Sequence, residues 1–263
     1  MGENAIVRDL GDKLAARIYG YELLHVAFGT ADASRLLEVV GSEESAAAFA
    51  AYGEGVVAGS GGSPSGVGAC WERCRAQAAA SDVGEVGQAF VDLFLVPGDS
   101  FVYPWESCHT EESPVLFKPS TAAVRRFYED HGYRLRADGG NFPPDHLSAL
   151  LDFLARLSAE AYELFFEERD DQAARMLGDQ RDFVDEHVLN WVDRFVDGVV
   201  EKDRSGMYAA LAALLAAFVR ADRCFMDEAC LLLGGGQQGP CLASGGAGEP
   251  EGRAGEPAGG REG

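Results

Sequence analysis

The chain has 263 residues, of which 47% are hydrophobic, so it can form one large domain or two small ones around a buried core. Its formal net charge of −21 argues against nucleic acid and anionic lipid as partners, because both select basic surfaces. The same charge suits a cationic partner, or a chain that must stay soluble while it handles apolar cargo.

The N-terminal segment and the apolar runs predict neither export nor stable membrane insertion. Charged residues recur throughout residues 1–20, which leaves no apolar core for a signal peptide. The longest apolar stretch, 207–219, falls well short of the roughly 18 residues that a membrane-spanning helix needs. The six cysteines are too sparse for a disulfide framework, and the pair Cys70 and Cys74 has no second pair at metal-ligand spacing. We therefore expect reduced thiols, no metal and a cytoplasmic location.

Apolar residues recur at three- and four-residue intervals through most of the chain, and this spacing predicts helices. The predicted helices cover residues 5–28, 32–40, 42–52, 82–96, 120–133, 145–168, 172–203 and 206–233. The helix over 172–203 is expected to break near Gly178. Alternation with a period of two is absent, so no strand is predicted. The expected fold is an all-α, single-domain bundle of about eight to ten helices over residues 1–233.

Three segments lack the helical pattern. Residues 53–69 are rich in Gly and Ser and predict a flexible loop, and no Gly-Lys-Ser/Thr follows to bind a phosphate. Residues 234–263 have almost no large apolar side chain, so a disordered tail is expected there. Residues 97–119 form a long link rich in Pro and aromatic residues, which we expect to be ordered by packing.

The stretch NFPPDHLSALLDFLARL (141–157) places an Asp-His pair directly before a helical pattern. Asp145 is expected near the N-cap, where its carboxylate can accept the unpaired backbone N–H groups of the first turn. His146 then lies in that turn, where the helix dipole disfavours imidazolium, so a neutral ring is expected at pH 7. A second pattern spaces four side chains by four residues along one helix: Phe183, His187, Trp191 and Phe195. Both histidines can therefore line one seam between packed helices.

Two other interpretations of these residues stay open. A helical metal-dependent hydrolase could use His146, His187 and Asp145, with His131 as a further ligand. The chain contains no Gly-x-Ser-x-Gly elbow, no His-Glu-x-x-His and no nucleotide fingerprint that would support catalysis. In the purely structural interpretation, the histidines are core side chains bonded to neighbours and Asp145 is only a helix cap.

Four segments, taken in order, resemble the TorD/DmsD family of redox-enzyme maturation chaperones, which is related to the NarJ group. They are VPGDSFVYPWES (96–107), VRRFYEDHGYRL (124–135), FPPDHLSALLDFLARL (142–157) and FVDEHVLNWVDRF (183–195). The third resembles the family's Pro-x-Asp-His signature, and the fourth its Phe-x-x-x-His-x-x-x-Trp-x-x-x-Phe helix. Where the family often has Glu before the signature, this chain has Asn141-Phe142-Pro143. The resemblance covers about residues 5–232, and the Gly-rich loop and the tail look like additions to it.

The resemblance implies a chaperone rather than an enzyme, with no cofactor of its own. Such proteins bind the twin-arginine signal peptide and the apo catalytic subunit of a molybdopterin oxidoreductase in the cytoplasm. They hold this client back from Tat export until its cofactor has been inserted. Nothing in the sequence supports a guanine-nucleotide site, and both a monomer and a homodimer stay open.

By family analogy, the signal-peptide and cargo site lies where the Pro-rich link meets the Asp-His helix end. The expected site residues are Tyr103, Trp105, Glu106, Ser107, Phe142, Pro144, Asp145, His146, His187 and Trp191. Asp145 and Glu106 are expected to meet the guanidinium groups of the signal peptide. Three further side chains are expected to meet its apolar, helix-forming part: Tyr103, Trp105 and Phe142.

Overall fold

The computed structural model describes residues 3–52, 66–110, 119–134 and 143–234. Within these ranges the chain forms eleven α-helices and one π-helical segment and has no strand, which confirms the predicted all-α, single-domain fold. In chain order the helices are α1 (Glu3–Gly29), α2 (Ala33–Gly41), α3 (Glu43–Ala50), α4 (Val67–Ala80), α5 (Val83–Phe90), α6 (Ser107–Thr110), α7 (Pro119–Asp130), α8 (Leu147–Phe166), α9 (Asp170–His187), α10 (Val192–Lys202) and α11 (Met207–Leu233). The π-helical segment, Val91–Leu95, directly follows α5.

The loop, link and tail differ in part from prediction. Helix α4 begins at Val67, inside the predicted 53–69 loop, and the short helix α6 lies inside the link that was expected to be irregular. These elements help to raise the number of helices above the predicted range. The rest of the predicted loop (53–65) and the predicted tail beyond Gly234 lie outside the described residues. Within the described ranges, no helix combines the length and the apolar character needed to cross a bilayer.

The predicted helix over 172–203 is interrupted, but at residues 188–191 and not near Gly178. Two side chains donate hydrogen bonds to backbone carbonyl groups in the last turn of α9. The Asn190 amide donates to the Glu186 carbonyl at 2.6 Å, and the Trp191 indole N–H donates to the His187 carbonyl at 2.7 Å. Because these side chains satisfy the carbonyls at the end of α9, the chain can turn there and start α10.

Helices α1 and α8 pack antiparallel along most of their length. Gly11, near the start of α1, faces the ring of Phe165 at the end of α8. Gly29, the last residue of α1, lies so close to Ser148 in the first turn of α8 that a Cβ atom would overlap its side chain. Glycine therefore permits the close approach that brings the end of α1 beside the Asp-His stretch.

A buried polar cluster ties four helices together at mid-length. The carboxylate of Asp222 in α11 accepts from Nε of Arg17 in α1 at 2.6 Å and from the hydroxyl of Tyr21 at 2.6 Å. Arg17 Nη2 also donates to Gln180 in α9 at 2.7 Å, and Ser158 in α8 donates to the same amide oxygen at 3.2 Å. Nη1 of Arg17 has no hydrogen-bond partner among the described residues, but the other bonds of the cluster fix the register of α1, α8, α9 and α11.

Candidate functional site

The link crosses the start of α8 as a short strand-like contact. Glu106 N–H donates to the Asp145 carbonyl at 3.0 Å, and Leu147 N–H donates to the Pro104 carbonyl at 2.8 Å. Trp105 and His146 thereby form an isolated antiparallel bridge, and their rings lie 5.5 Å apart. We call the contact between residues 103–107 and 143–147 the link–α8 junction. It joins two of the four segments that carry the family resemblance.

The π-helical segment positions the link for this contact. Its wider turn leaves the Leu93 carbonyl to accept a hydrogen bond from Val102 N–H at 2.8 Å. The side chain of Val102 then packs beside Gly198 in α10, where a Cβ atom would be only 3.3 Å away. The Lys202 ammonium also donates to the Phe101 carbonyl at 2.8 Å. The irregular part of the link is thus held by neighbouring helices, as expected from its composition.

The prediction that Asp145 caps the long helix is wrong, because His146 is the N-cap of α8. Nδ1 of His146 accepts from Ser148 N–H at 3.1 Å. Asp145 instead accepts from Ser107 N–H at 3.0 Å, so its carboxylate caps the first residue of α6. A neutral His146 is confirmed, and burial is the main cause. Burial lowers the pKa of His146 to about 4, the charge of Asp145 opposes this effect and His25 adds to it.

Three buried polar atoms at the link–α8 junction have no hydrogen-bond partner among the described residues. They are Oδ1 of Asp145, Oγ of Ser107 and Nε1 of Trp105. Asp145 and Ser107 are both fully buried, and the other carboxylate oxygen of Asp145 is already bonded to the Ser107 backbone. The junction therefore offers one anionic acceptor and one hydroxyl that are free to bond an incoming donor.

Glu106 turns to the opposite side of the link and meets α9. Its carboxylate accepts from Nδ1 of His187 at 3.1 Å and from the Asn190 amide at 3.3 Å, and both Glu106 and His187 are buried. The two predicted site histidines thus contact successive residues of the link: His146 contacts Trp105, and His187 contacts Glu106. Asn190 was missed in the sequence, although it lies one turn after Glu186 within the fourth family-like segment.

A row of aromatic side chains lies on the outer face of the link. The rings of Phe101 and Tyr103 are 5.0 Å apart, and those of Tyr103 and Trp105 are 6.4 Å apart. Tyr103 is 46% exposed, and Leu95 and Val96 at the end of the π-helical segment are exposed as well. This row gives the surface beside the buried carboxylate an apolar character.

His109 is a second residue that the sequence pattern did not reveal. Its ring stacks on Trp191 at 5.0 Å, and its Nε2–H donates to the Tyr103 carbonyl at 2.6 Å. Burial lowers the pKa of His109, and the charge of Arg194 lowers it further, whereas the bond to Tyr103 opposes the shift. His109 therefore connects Trp191, which is buried, to the aromatic row.

Of the two remaining predicted site residues, one is buried and the other lies outside the described residues. Pro144 is buried, and its carbonyl accepts from the hydroxyl of Tyr128 at 2.9 Å. Phe142 lies outside the described residues.

The structure does not support the metal-dependent hydrolase. His131, proposed as a further ligand, pairs with Asp179 at 3.4 Å and stacks on Phe127, whereas His187 pairs with Glu106. In the part of the chain that the structure describes, no three His, Cys, Asp or Glu side chains are grouped so that they could hold a metal ion. The residues named for that chemistry are therefore held by separate partners.

The fold and the link–α8 junction define an all-α helical bundle with a buried polar junction, and comparison with known proteins identifies the family. The chain belongs to the nitrate reductase delta subunit family of NarJ/TorD-type chaperones, whose family model matches residues 61–197. This match confirms the resemblance found in the four segments.

Curated relatives carry the name chaperone protein TorD. The chain is 33% identical over 144 residues to the protein from Vibrio cholerae serotype O1, covering 55% of this chain and 63% of that protein. It is 30% identical over 142 residues to the protein from Photobacterium profundum, covering 54% and 64%, and 29% identical over 142 residues to the one from Aliivibrio fischeri, also covering 54% and 64%. The chain thus spans less than two thirds of the length of these relatives.

Proposed function

We propose that this protein is a cytoplasmic chaperone that binds the twin-arginine signal peptide and the apo form of a molybdopterin oxidoreductase. It holds this client for cofactor insertion before Tat export. Membership of the NarJ/TorD-type chaperone family and the net charge of −21 support the proposal. The observation on which it chiefly rests is the link–α8 junction, where one carboxylate oxygen of Asp145 is buried without a partner among the described residues and the adjoining link exposes Tyr103.

In the proposed complex, one guanidinium group donates to Oδ1 of Asp145 and to Oγ of Ser107. Both atoms are buried without a partner among the described residues, so a bound donor recovers a bonding deficit that the free protein carries. Asp145 is fully buried, so the proposal includes an opening of the junction in which Trp105 moves off the His146 ring to admit the ligand. The planar fork of arginine can meet both acceptors at once, which the single ammonium of lysine does less well.

The apolar part of the signal peptide packs on the aromatic row. Tyr103 and Trp105 supply its surface, and Leu95 and Val96 extend it. In this proposal Phe142 adds to the same surface, while Glu106, Pro144, His187 and Trp191 hold the junction in place from below. A helix-forming peptide can therefore place its arginines at Asp145 and its apolar face on the link.

Peptide titration monitored by fluorescence anisotropy tests this proposal. A labelled twin-arginine leader of a molybdoenzyme is compared with the same leader carrying Lys-Lys and with a Sec-type leader. The twin-arginine leader should bind at least about tenfold more tightly than either control, because a charge-assisted bidentate bond is worth about 1.5–3 kcal/mol. Equal affinity for all three leaders would contradict the proposal.

A pair of exposed aromatic residues provides the matched control for the apolar contact. Tyr103→Ser should weaken leader binding several-fold, because it removes part of the aromatic row. Phe166→Ser, at the exposed end of α8, removes a comparable side chain elsewhere and should leave the leader affinity unchanged. Equal losses in the two variants would show that the leader does not use the aromatic row.

A further inference from the structure

Exposed apolar side chains are concentrated at one end of the core helices. Half of the large hydrophobic side chains that are exposed in the described ranges lie in the terminal turns of α1, α8 and α11. These are Ile6, Val7, Phe166, Leu231 and Leu232, and we call them the end face. Phe166 is 75% exposed and Leu231 is 78% exposed, so these side chains remain largely in water.

The antiparallel packing of the core helices brings these turns to the same end of the bundle. The start of α1 meets the end of α8 where Gly11 faces Phe165. The end of α11 meets the start of α9 where the Cys230 thiol donates to the Ala174 carbonyl at 3.3 Å. At 1.5 Å per residue, the polar cluster around Arg17 lies about 12–16 Å from each of these turns along the helices. The end face is therefore opposite the link–α8 junction, which lies at the start of α8.

The charges around the end face are mostly negative. Residues 6–13, 163–171 and 228–233 contain eight carboxylates and only three cationic side chains. Each of the three cations has a nearby acidic partner: Arg8 pairs with Asp12, Lys13 with Asp9 and Arg169 with Glu167. Neither α8 nor α11 has a basic residue in its last turn, so the negative ends of their dipoles add to this charge. An apolar surface with a negative rim selects a ligand with the opposite rim.

We infer that the end face docks a cationic amphipathic segment of a partner protein, with apolar side chains on one face and Lys or Arg along its edges. The charge argues against a second copy of this chain, which would bring the same carboxylates to the contact. Beyond Gly234 the sequence has Leu242 as its only large aliphatic side chain, which offers little apolar surface to match the end face. This surface is distinct from the proposed signal-peptide site and does not depend on it.

A designed peptide probe tests the inference with the full-length protein. The probe is a labelled 18-residue peptide of Leu and Lys in a helical three-four pattern, and its control replaces every Lys with Glu. The double variant Phe166→Ser/Leu231→Ser keeps the net charge, so it separates apolar docking from attraction to an acidic protein in general. The matched control, Val83→Ser/Val200→Ser, removes two exposed apolar side chains outside the end face.

The Lys probe should bind the wild type and the matched control with the same affinity, and it should bind the end-face variant at least about tenfold more weakly. The Glu peptide should not bind the wild type. Equal loss in both double variants would overturn the inference. So would a wild-type dimer, seen by light scattering, that the end-face variant converts to a monomer. Affinity for the twin-arginine leader should be unchanged in the end-face variant. A failure of the end-face inference can therefore be distinguished from a failure of the signal-peptide proposal at the link–α8 junction.

Discussion

Glu106 and His187 are 81 residues apart in the chain and form a buried pair, with the Glu106 carboxylate accepting from Nδ1 of His187 at 3.1 Å. The pair fastens the link to α9, and the Asn190 amide adds a third member at 3.3 Å. Because Trp105 and Ser107 flank Glu106, this contact also sets where the link meets α8. The position of the proposed signal-peptide site therefore depends on a buried hydrogen bond between Glu106 and His187.

Glu106→Ala should destabilise the protein by roughly 1–3 kcal/mol, because it leaves the buried Nδ1–H of His187 without its acceptor. Glu106→Gln keeps an acceptor oxygen at the same place and should cost less than about half as much. Urea unfolding followed by circular dichroism gives both values. A Glu106→Ala protein as stable as the wild type would show that the pair does not hold the link.

His146 should make stability depend on pH between about 4 and 6.5. Burial in the folded state lowers the pKa of His146 from 6.5 to about 4, so the folded protein binds this proton less readily than the unfolded chain. The contribution of neutral His146 to the free energy of unfolding is therefore fully present above pH 6.5. It is lost as the pH falls toward 4, and the loss amounts to about 3 kcal/mol. His146→Asn keeps an acceptor at the N-cap but cannot titrate, so its unfolding free energy should fall less steeply over this range. Identical slopes for the two proteins would contradict the assignment.

Asp222→Ala should be among the most damaging substitutions. It leaves Arg17 as a buried, uncompensated charge and removes the acceptor of Tyr21 and Tyr52, so a loss of about 3–5 kcal/mol is expected. Asp227→Ala, five residues later on the same helix, removes a partly exposed partner of Arg181 and Arg223 and should cost no more than about 1 kcal/mol. Thermal and urea unfolding of the two variants measure the difference. Similar values would show that the mid-length cluster does not hold the four helices together.

Two helical glycines should respond to alanine in opposite directions. A Cβ atom at Gly20 would lie 2.5 Å from the ring of Phe218, which is fully buried and has little room to move, so Gly20→Ala should destabilise the bundle. A Cβ atom at Gly178 meets nothing within 4 Å, so Gly178→Ala should stabilise α9 by up to about 1 kcal/mol through helix propensity alone. The melting temperature of Gly20→Ala should therefore lie below that of the wild type, and that of Gly178→Ala above it.

The helices could be predicted because their apolar spacing is a local property of the sequence. The break at 188–191 could not, because it depends on Asn190 and Trp191 turning their side chains to carbonyls of the preceding turn. A four-residue apolar spacing continues through that break, from His187 to Phe195, so the pattern alone favours one continuous helix.

The Asp-His pair shows a similar limit at the candidate site. Its place before a helix predicted a cap, but the cap of α8 is His146 and not Asp145. Asp145 caps α6 through Ser107, 38 residues earlier in the chain, and this partner follows only from the tertiary path of the link. The local pattern therefore located the junction, whereas the partners inside it required the fold.

The affinity of a twin-arginine leader for the Asp145→Asn variant tests the central claim most directly. Asparagine can still accept from Ser107 N–H, so the junction keeps its structure while the negative charge is lost. Circular dichroism and the unfolding midpoint should match those of the wild type, and leader affinity should fall about 10- to 100-fold, which corresponds to the loss of one charge-assisted hydrogen bond. Unchanged leader affinity in a folded Asp145→Asn protein would contradict the account.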